Sequence, residues 1–284
     1  MTKYKESIMK AIFFAAACTS ILAVTLICLF LFINGIPAMT KIGIFDFLMG
    51  TTWKPNNTPP SFGILPMILG SIYVTAGAAV VGVPVGVLTA VFMAKYCPKK
   101  LYRILKPAIN LLAGIPSIVY GFFGLVVIVP FIRDTFGGAG SSMLAASILL
   151  GIMILPTIVG ISESAIRAIP QSYYEGALAL GASHERSTFF VVLPAAKSGI
   201  MAAIVLGIGR AIGETMAVIM VAGNQARMPA GLLKGVRTLT ANIIIEMGYA
   251  AELHREALIA TGVVLFVFIL IINLLLSLLK RRTG

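Results

Sequence analysis

The stretch "SESAIRAIPQSYYEGALALGASHERSTFFVVLPAAKSG", Ser162 to Gly199, separates two long apolar runs without being apolar itself. Ala165, Ile166 and Ile169 precede Pro170, and Tyr174, Ala177 and Leu178 then fall on one stripe of a helix, so the segment reads as amphipathic. Gly181 stops that helix, because glycine takes the left-handed conformation at a helix end without a Cβ penalty. Two short helices split by a turn are expected here.

The chain around it has too much apolar surface for a water-soluble core. Of 284 residues, 59% are hydrophobic and 11% are charged, and the mean hydropathy is +1.01. Six stretches, near 11–33, 64–94, 107–132, 142–161, 198–222 and 257–279, are long enough to cross a bilayer core as helices, which takes about 20 residues. The expected fold class is an all-α polytopic membrane protein with six transmembrane helices. Residues 1–63 read as an N-terminal anchor helix and an outside loop, and residues 64–284 as the main transmembrane domain, with Ser162 to Gly199 as its long cytoplasmic segment.

A net charge of +12 raises the question of nucleic acid, but the cations lie in short loops beside the spans. They read as topology signals. With the N-terminus inside, the inside segments carry about twice as many Lys and Arg as the outside ones. Lys3, Lys5, Lys10, Lys280, Arg281 and Arg282 flank the two ends, so both termini are expected in the cytoplasm. The first span exceeds the apolar region of a cleavable signal, about 7 to 15 residues, and reads as a retained anchor. Cys18, Cys28 and Cys97 do not pair in an oxidising compartment, so neither a disulfide nor a zinc site is expected.

The outside loop 34–63 is rich in Pro, Gly, Asn and Thr, with a short interfacial segment expected around Phe45 to Met49. Trp53 there reads as an interfacial anchor. Pro84 within "GVPVG", Gly82 to Gly86, predicts a kink, while the Gly82/Gly86 spacing alone is accounted for by close helix packing. "GIPSIVYGFFG", Gly114 to Gly124, places a second proline, Pro116, in the third span. "LTANIIIEMGYA", Leu239 to Ala250, is too short to span and is expected to pack against the bundle from outside.

No enzyme constellation is present in the sequence. His184 and His254 fall on opposite expected sides, and no phosphate-cradling G-x-x-x-x-G-K-[ST] loop occurs. ATP hydrolysis is therefore expected on another polypeptide, with no cofactor or metal on this one.

Glu175, Gly176, Ala177, then Gly181, then Val191, Val192, Leu193 and Pro194 resemble the "EAA" loop of ABC importer permeases, E-A-A-x3-G-x9-I-x-L-P. Gly176 and Val191 are the departures, both small changes. "FLMGTTWKP", "GIPSIVYGFFGL", "YYEGALALGAS" and "GRAIGETMAV" further resemble the phosphate importer (Pst) permeases, in particular the PstC-type subunit. The resemblance implies an ABC importer type I permease fold and ATPase coupling through Glu175, Gly176, Ala177, Gly181, Leu193 and Pro194. It also implies partners: a second, PstA-type permease, a cytoplasmic PstB-type ATPase dimer and an extracytoplasmic PstS-type phosphate-binding protein. Membrane lipid is the surrounding solvent, and no nucleic-acid partner is expected.

Within "GIGRAIGETMA", Gly207 to Ala217, Arg210 and Glu214 stand four apart in an apolar run. Their spacing puts them on one helical face, about one turn apart. Each alone costs roughly 2.5 to 3.5 kcal/mol at mid-membrane, so they are expected to face the bundle interior or water. A planar guanidinium can offer phosphate two parallel hydrogen bonds, and the family resemblance implies that this Arg and Glu serve phosphate passage. Arg210 is expected in the substrate pathway with Glu214 as its carboxylate partner, either a latch or a simple counter-ion. Gly207, Gly209 and Gly213 are expected to let helices approach around the pair. Permeases for other oxyanions, such as molybdate or sulfate, remain the alternative.

Overall fold

The computed structural model describes the backbone of residues 2–283 and the side chains of residues 6–275 and 278. Lys3, Lys5, Lys280, Arg281 and Arg282, counted above as inside charges, lie outside the residues whose side chains are described.

The chain is almost wholly helical. In order it forms α1 (Thr2–Ile42), α2 (Ile44–Met49), a two-stranded antiparallel hairpin of β1 (Trp53–Lys54) and β2 (Ser61–Phe62), α3 (Leu65–Val91), α4 (Lys99–Gly114), α5 (Ser117–Phe123), α6 (Val129–Phe136) and α7 (Met143–Arg167). There follow α8 (Gln171–Ala179), α9 (His184–Ser187), α10 (Leu193–Gly213), α11 (Met216–Val221), α12 (Leu239–Met247) and α13 (Glu252–Thr283). Single π-helical turns at Phe92–Tyr96, Gly124–Ile128 and Thr188–Val192 extend α3, join α5 to α6, and join α9 to α10. Among the described residues, six continuous helical segments are long and apolar enough to cross a membrane: Glu6–Ile42, Leu65–Tyr96, Ser117–Phe136, Met143–Arg167, His184–Gly213 and Glu252–Leu275. The chain is a multi-pass membrane protein.

Helix α7 is the axis. Its Leu149, Leu150, Met153, Ile154 and Ile158 pack with Val74 and Ala78 of α3, Ile132 of α6 and Ala217, Val218 and Val221 of α11. Lipid tails are as apolar as these side chains, so close van der Waals contact rather than exclusion of water holds such helices together. Small residues set the approach. A Cβ on Gly82 would lie 2.7 Å from the Gly151 carbonyl oxygen and from Ile154, and one on Gly86 would lie 2.8 Å from Ile158. Helix α1 is peripheral, held on α13 by the edge-on Phe32–Phe266 pair at 5.9 Å and by Gly35 against Ala260 and Val263.

The span boundaries differ from expectation where the backbone breaks. The segment expected to span as 107–132 is divided: α4 ends at Gly114, Ile115 is extended (φ −68°, ψ 128°), and the membrane helix begins at Ser117. Pro116 forces this, because a proline drives the residue before it out of the helical region. Helix α4 carries Lys99, Lys100, Arg103 and Lys106 and has no buried residue. Pro84, by contrast, sits inside an unbroken α3. The fifth span begins at His184 and ends at Gly213, because the π turn at Thr188–Val192 carries the helix on from α9, and Glu214 leaves the helical conformation (φ −69°, ψ 133°).

At the end of the bundle where α3 begins, α2, the hairpin, α12 and the start of α13 form a cap. The expected segment around Phe45 to Met49 is α2, and "LTANIIIEMGYA" yields α12, whose Leu239, Thr240, Ala241, Asn242 and Glu246 are buried. Trp53 is not an interfacial anchor. It is buried with Phe47, Phe62 and Met67, and its indole N–H donates to Glu246 Oε2 at 2.8 Å. An indole with a buried carboxylate to bond has no reason to stay at a lipid–water boundary.

Candidate functional site

Arg210 stands in the last turn of α10, half-buried, and its Nη1 donates to the Thr157 hydroxyl of α7 at 3.3 Å. Glu214 lies beyond the helix end. Its Oε1 accepts from the backbone N–H groups of Thr215 (3.1 Å) and Ala217 (3.3 Å), capping the start of α11. Its own carbonyl accepts from the Thr240 hydroxyl of α12 at 3.1 Å.

The expected partnership therefore does not form. No ion pair joins Arg210 and Glu214 among the described residues. The four-residue spacing faces two side chains together only on a continuous helix, and this one breaks between them. The carboxylate instead meets the unsatisfied N–H groups and the positive end of a new helix, where an anion is favoured. The guanidinium is left with a neutral hydroxyl.

The glycines around it divide. Gly207 packs on α7, where a Cβ would lie 2.8 Å from Ile158, but Gly209 and Gly213 face open space within this chain. Within this chain, close helix approach thus holds for Gly207 alone of the three. The Arg210 end of α10 is open on its glycine side.

A second break lies nearby. The Tyr120 hydroxyl of α5 donates to the Leu112 carbonyl of α4 at 2.8 Å, bridging the Ile115–Pro116 interruption. Helix α5 packs on α11 through Gly121, where a Cβ would lie 2.8 Å from Met220 Sδ and 3.0 Å from Ala217.

At the opposite end from the cap, the segment after α7 forms the two expected short helices. Gly181 has φ +83°. Its N–H bonds the Leu178 carbonyl (2.9 Å) and the Ala182 N–H bonds the Ala177 carbonyl (3.1 Å), the paired pattern that closes a helix on a left-handed glycine. Ser183 then caps α9 by accepting from the Arg186 N–H at 3.2 Å. Glu175 and Gly176 are exposed and Ala177 half-buried, while Leu193 and Pro194 open α10, half-buried and exposed respectively. No residue of α8 is buried, and Leu180 beside it is 91% exposed. The Tyr174 hydroxyl and His184 Nδ1, 2.6 Å apart, hold α8 to α9.

Two charged clusters escaped the sequence reading. In the cap, Glu246 receives Trp53, Arg237 Nη1 (2.5 Å) and His254 Nε2 (2.8 Å), and Arg237 also bonds Asn242 Oδ1 (3.0 Å) and the Asn224 carbonyl (3.0 Å). Partial desolvation and the Glu246 carboxylate push the nearby Tyr249 phenol above its ordinary range. At the end of α7, Glu163 receives Tyr102, Lys106 and Arg167. The isolated glutamate in "NIIIEM" and the Glu163/Arg167 spacing were the available signals. His254 belongs to the cap cluster, and His184 bonds Tyr174 at the opposite end.

Six spans among the described residues, with α7 at the centre of their packing, a hydrogen-bonded cap at one end and an exposed helix–turn at the other, define a polytopic α-helical membrane protein of the transporter kind. Residues 82–284 match the binding-protein-dependent transport system inner membrane component family, and the chain belongs to it. It is 40% identical over 272 residues to the probable ABC transporter permease protein YqgH of Bacillus subtilis (strain 168), covering 93% of this chain and 88% of that one. It is 35% identical over 279 residues to the phosphate transport system permease protein PstC of Mesorhizobium japonicum, covering 89% and 84%. Among solved structures, the inward-facing MetNI methionine ABC transporter aligns with a TM-score of 0.63 at 22% identity, over 78% of this chain and 96% of that one. A bacterial alginate ABC transporter aligns with 0.63 at 16% identity, over 96% of each. The fold is that of an ABC importer permease.

Proposed function

We propose that the chain is the permease subunit of an ATP-driven importer that moves inorganic phosphate into the cytoplasm by alternating access. The observation that carries this reading is Arg210: a half-buried cation in a membrane helix, with no carboxylate partner among the described residues and beside an open glycine face. Such a charge in a span is a functional candidate by default, and phosphate, an anion at neutral pH, suits its fork geometry. Glu214 serves the pathway indirectly, by fixing the start of α11 and thereby the break next to Arg210. The similarity to relatives named as phosphate permeases supports the substrate.

The open side of Gly209 and Gly213 suits a second, PstA-type permease, the two chains enclosing one route. The exposed α8, with Glu175, Gly176, Ala177 and the Gly181 turn, and Leu193 and Pro194 at the foot of α10, suits docking on a separate PstB-type ATPase dimer that hydrolyses the ATP. A PstS-type binding protein would deliver phosphate from the cap side. Both termini then lie in the cytoplasm, and residues 1–63 serve as anchor and outside loop to the 64–284 transmembrane domain.

Uptake of labelled phosphate by cells carrying the chain with its neighbouring genes, challenged with excess molybdate or sulfate, tests the substrate. Competition by unlabelled phosphate alone is expected. Suppression by either other oxyanion would move the assignment to that anion.

A further inference from the structure

Glu163 is 1% exposed, yet it lies one turn from the end of α7 and gathers groups from two helices. It accepts from Lys106 Nζ at 2.6 Å and from the Tyr102 hydroxyl at 3.0 Å, both on α4, and from Arg167 Nε on its own helix. Arg167 in turn donates Nη2 to the Met93 carbonyl at 2.8 Å, in the π turn that ends the α3 span. Its guanidinium also lies over the Tyr102 ring, 4.4 Å from the centroid. One carboxylate thus ties together α4, α7 and the end of α3. A buried charge with three donors is costly to loosen, because stripping both cations from it leaves an uncompensated group in a low dielectric.

What this tie connects matters more than what it holds. Between Arg167 and the first residue of α8 stand only Ala168, Ile169 and Pro170, so any displacement of α8 pulls on the end of α7. On the other side, α4 leads to the Ile115–Pro116 break, which Tyr120 bridges, and α5 beyond it packs on α11, whose first turn Glu214 caps. The contacts run without a gap from the exposed helix–turn to the backbone break beside Arg210.

We propose that Glu163 is a positioning residue for transport: it is the strut that carries motion of α8 into α4 and on to the α4–α5 break at the pathway. This rests on the reading of α8 as the ATPase-docking helix. Glu163 touches neither substrate nor ATPase in this role. Its removal is expected to separate ATP hydrolysis from transport, not to abolish either assembly or hydrolysis.

The test uses the whole assembly, purified through a tag on this chain and reconstituted in liposomes, with ATP hydrolysis and phosphate uptake measured on the same preparation. Glu163→Gln keeps the shape and an acceptor for Tyr102 but removes the charge that holds Lys106 and Arg167. Lys106→Gln removes the charged tie between α4 and Glu163, at a partly exposed side chain, and leaves only the Tyr102 contacts holding α4 to this cluster. Both variants are expected to retain the ATPase and hydrolyse ATP while phosphate moved per ATP falls severalfold. An unchanged ratio in Lys106→Gln overturns the proposal, even where Glu163→Gln fails to assemble. If the unmodified assembly itself moves no phosphate on ATP hydrolysis, the reading of the whole protein fails, and not the strut alone.

Discussion

Arg210 and Glu214, four residues apart in sequence, face different partners: the guanidinium meets the Thr157 hydroxyl at 3.3 Å, and the carboxylate caps α11 through the Thr215 and Ala217 N–H groups. The helix break at Gly213–Thr215 separates the two roles, so substitutions at the two positions are expected to behave differently.

At Glu214 the requirement is an acceptor rather than a charge. Glu214→Gln retains an oxygen for the α11 N–H groups and is expected to keep most of the phosphate uptake. Glu214→Ala removes the cap, at a cost of about 1 kcal/mol to the start of α11, and is expected to lower uptake severalfold. Initial uptake rates of the two variants at matched membrane abundance check this. Equal loss in both would mean that the charge itself is needed.

Gly181 is fixed by its φ of +83°. A β-branched side chain there costs roughly 1–2 kcal/mol or more, whereas asparagine visits the left-handed region readily. Gly181→Val is expected to reduce co-purification of the ATPase strongly and Gly181→Asn only mildly, as read from the ATPase band recovered with the tagged chain.

Gly207 and Gly209 differ in what a methyl group would meet. At Gly207 it would press on Ile158 at 2.8 Å, and at Gly209 it would meet nothing in this chain. Gly207→Ala is expected to destabilise the purified chain in detergent by roughly 1–3 kcal/mol through overpacking. Gly209→Ala should leave its melting temperature unchanged.

In the cap, Glu246→Ala strands Arg237 in a buried site, and losing one partner of such a pair costs about 3–5 kcal/mol. Trp53→Phe keeps the packing and forfeits one hydrogen bond to a charged group, worth about 1.5–3 kcal/mol. Thermal unfolding of the two variants should therefore rank Glu246→Ala as the more damaging.

The six spans were legible because about 20 consecutive apolar residues have few other uses, and the Gly181 turn was legible because its backbone conformation suits glycine above all. What composition could not show was where helices stop. Pro116 ends one and Pro84 does not, since the surroundings decide whether the lost backbone bond is re-satisfied. The Arg210–Glu214 pairing was a sound inference from spacing that presumed a continuous helix. Trp53 was misplaced because its partner, Glu246, lies 193 positions away, beyond any local pattern. Glu163 fell just past the expected end of the fourth span, and its Lys106 and Tyr102 partners sit on a helix that the sequence reading had partly merged into the third.

The most direct test of Arg210 as the pathway cation is the initial rate of labelled phosphate uptake in three forms: Arg210→Ala, Glu214→Ala, and the exchange Arg210→Glu with Glu214→Arg. An anion contact made by an unpaired guanidinium at this one position predicts loss of uptake in Arg210→Ala and no recovery in the exchange. Uptake restored by the exchange would show that the two charges act as a structural pair and would contradict the assignment.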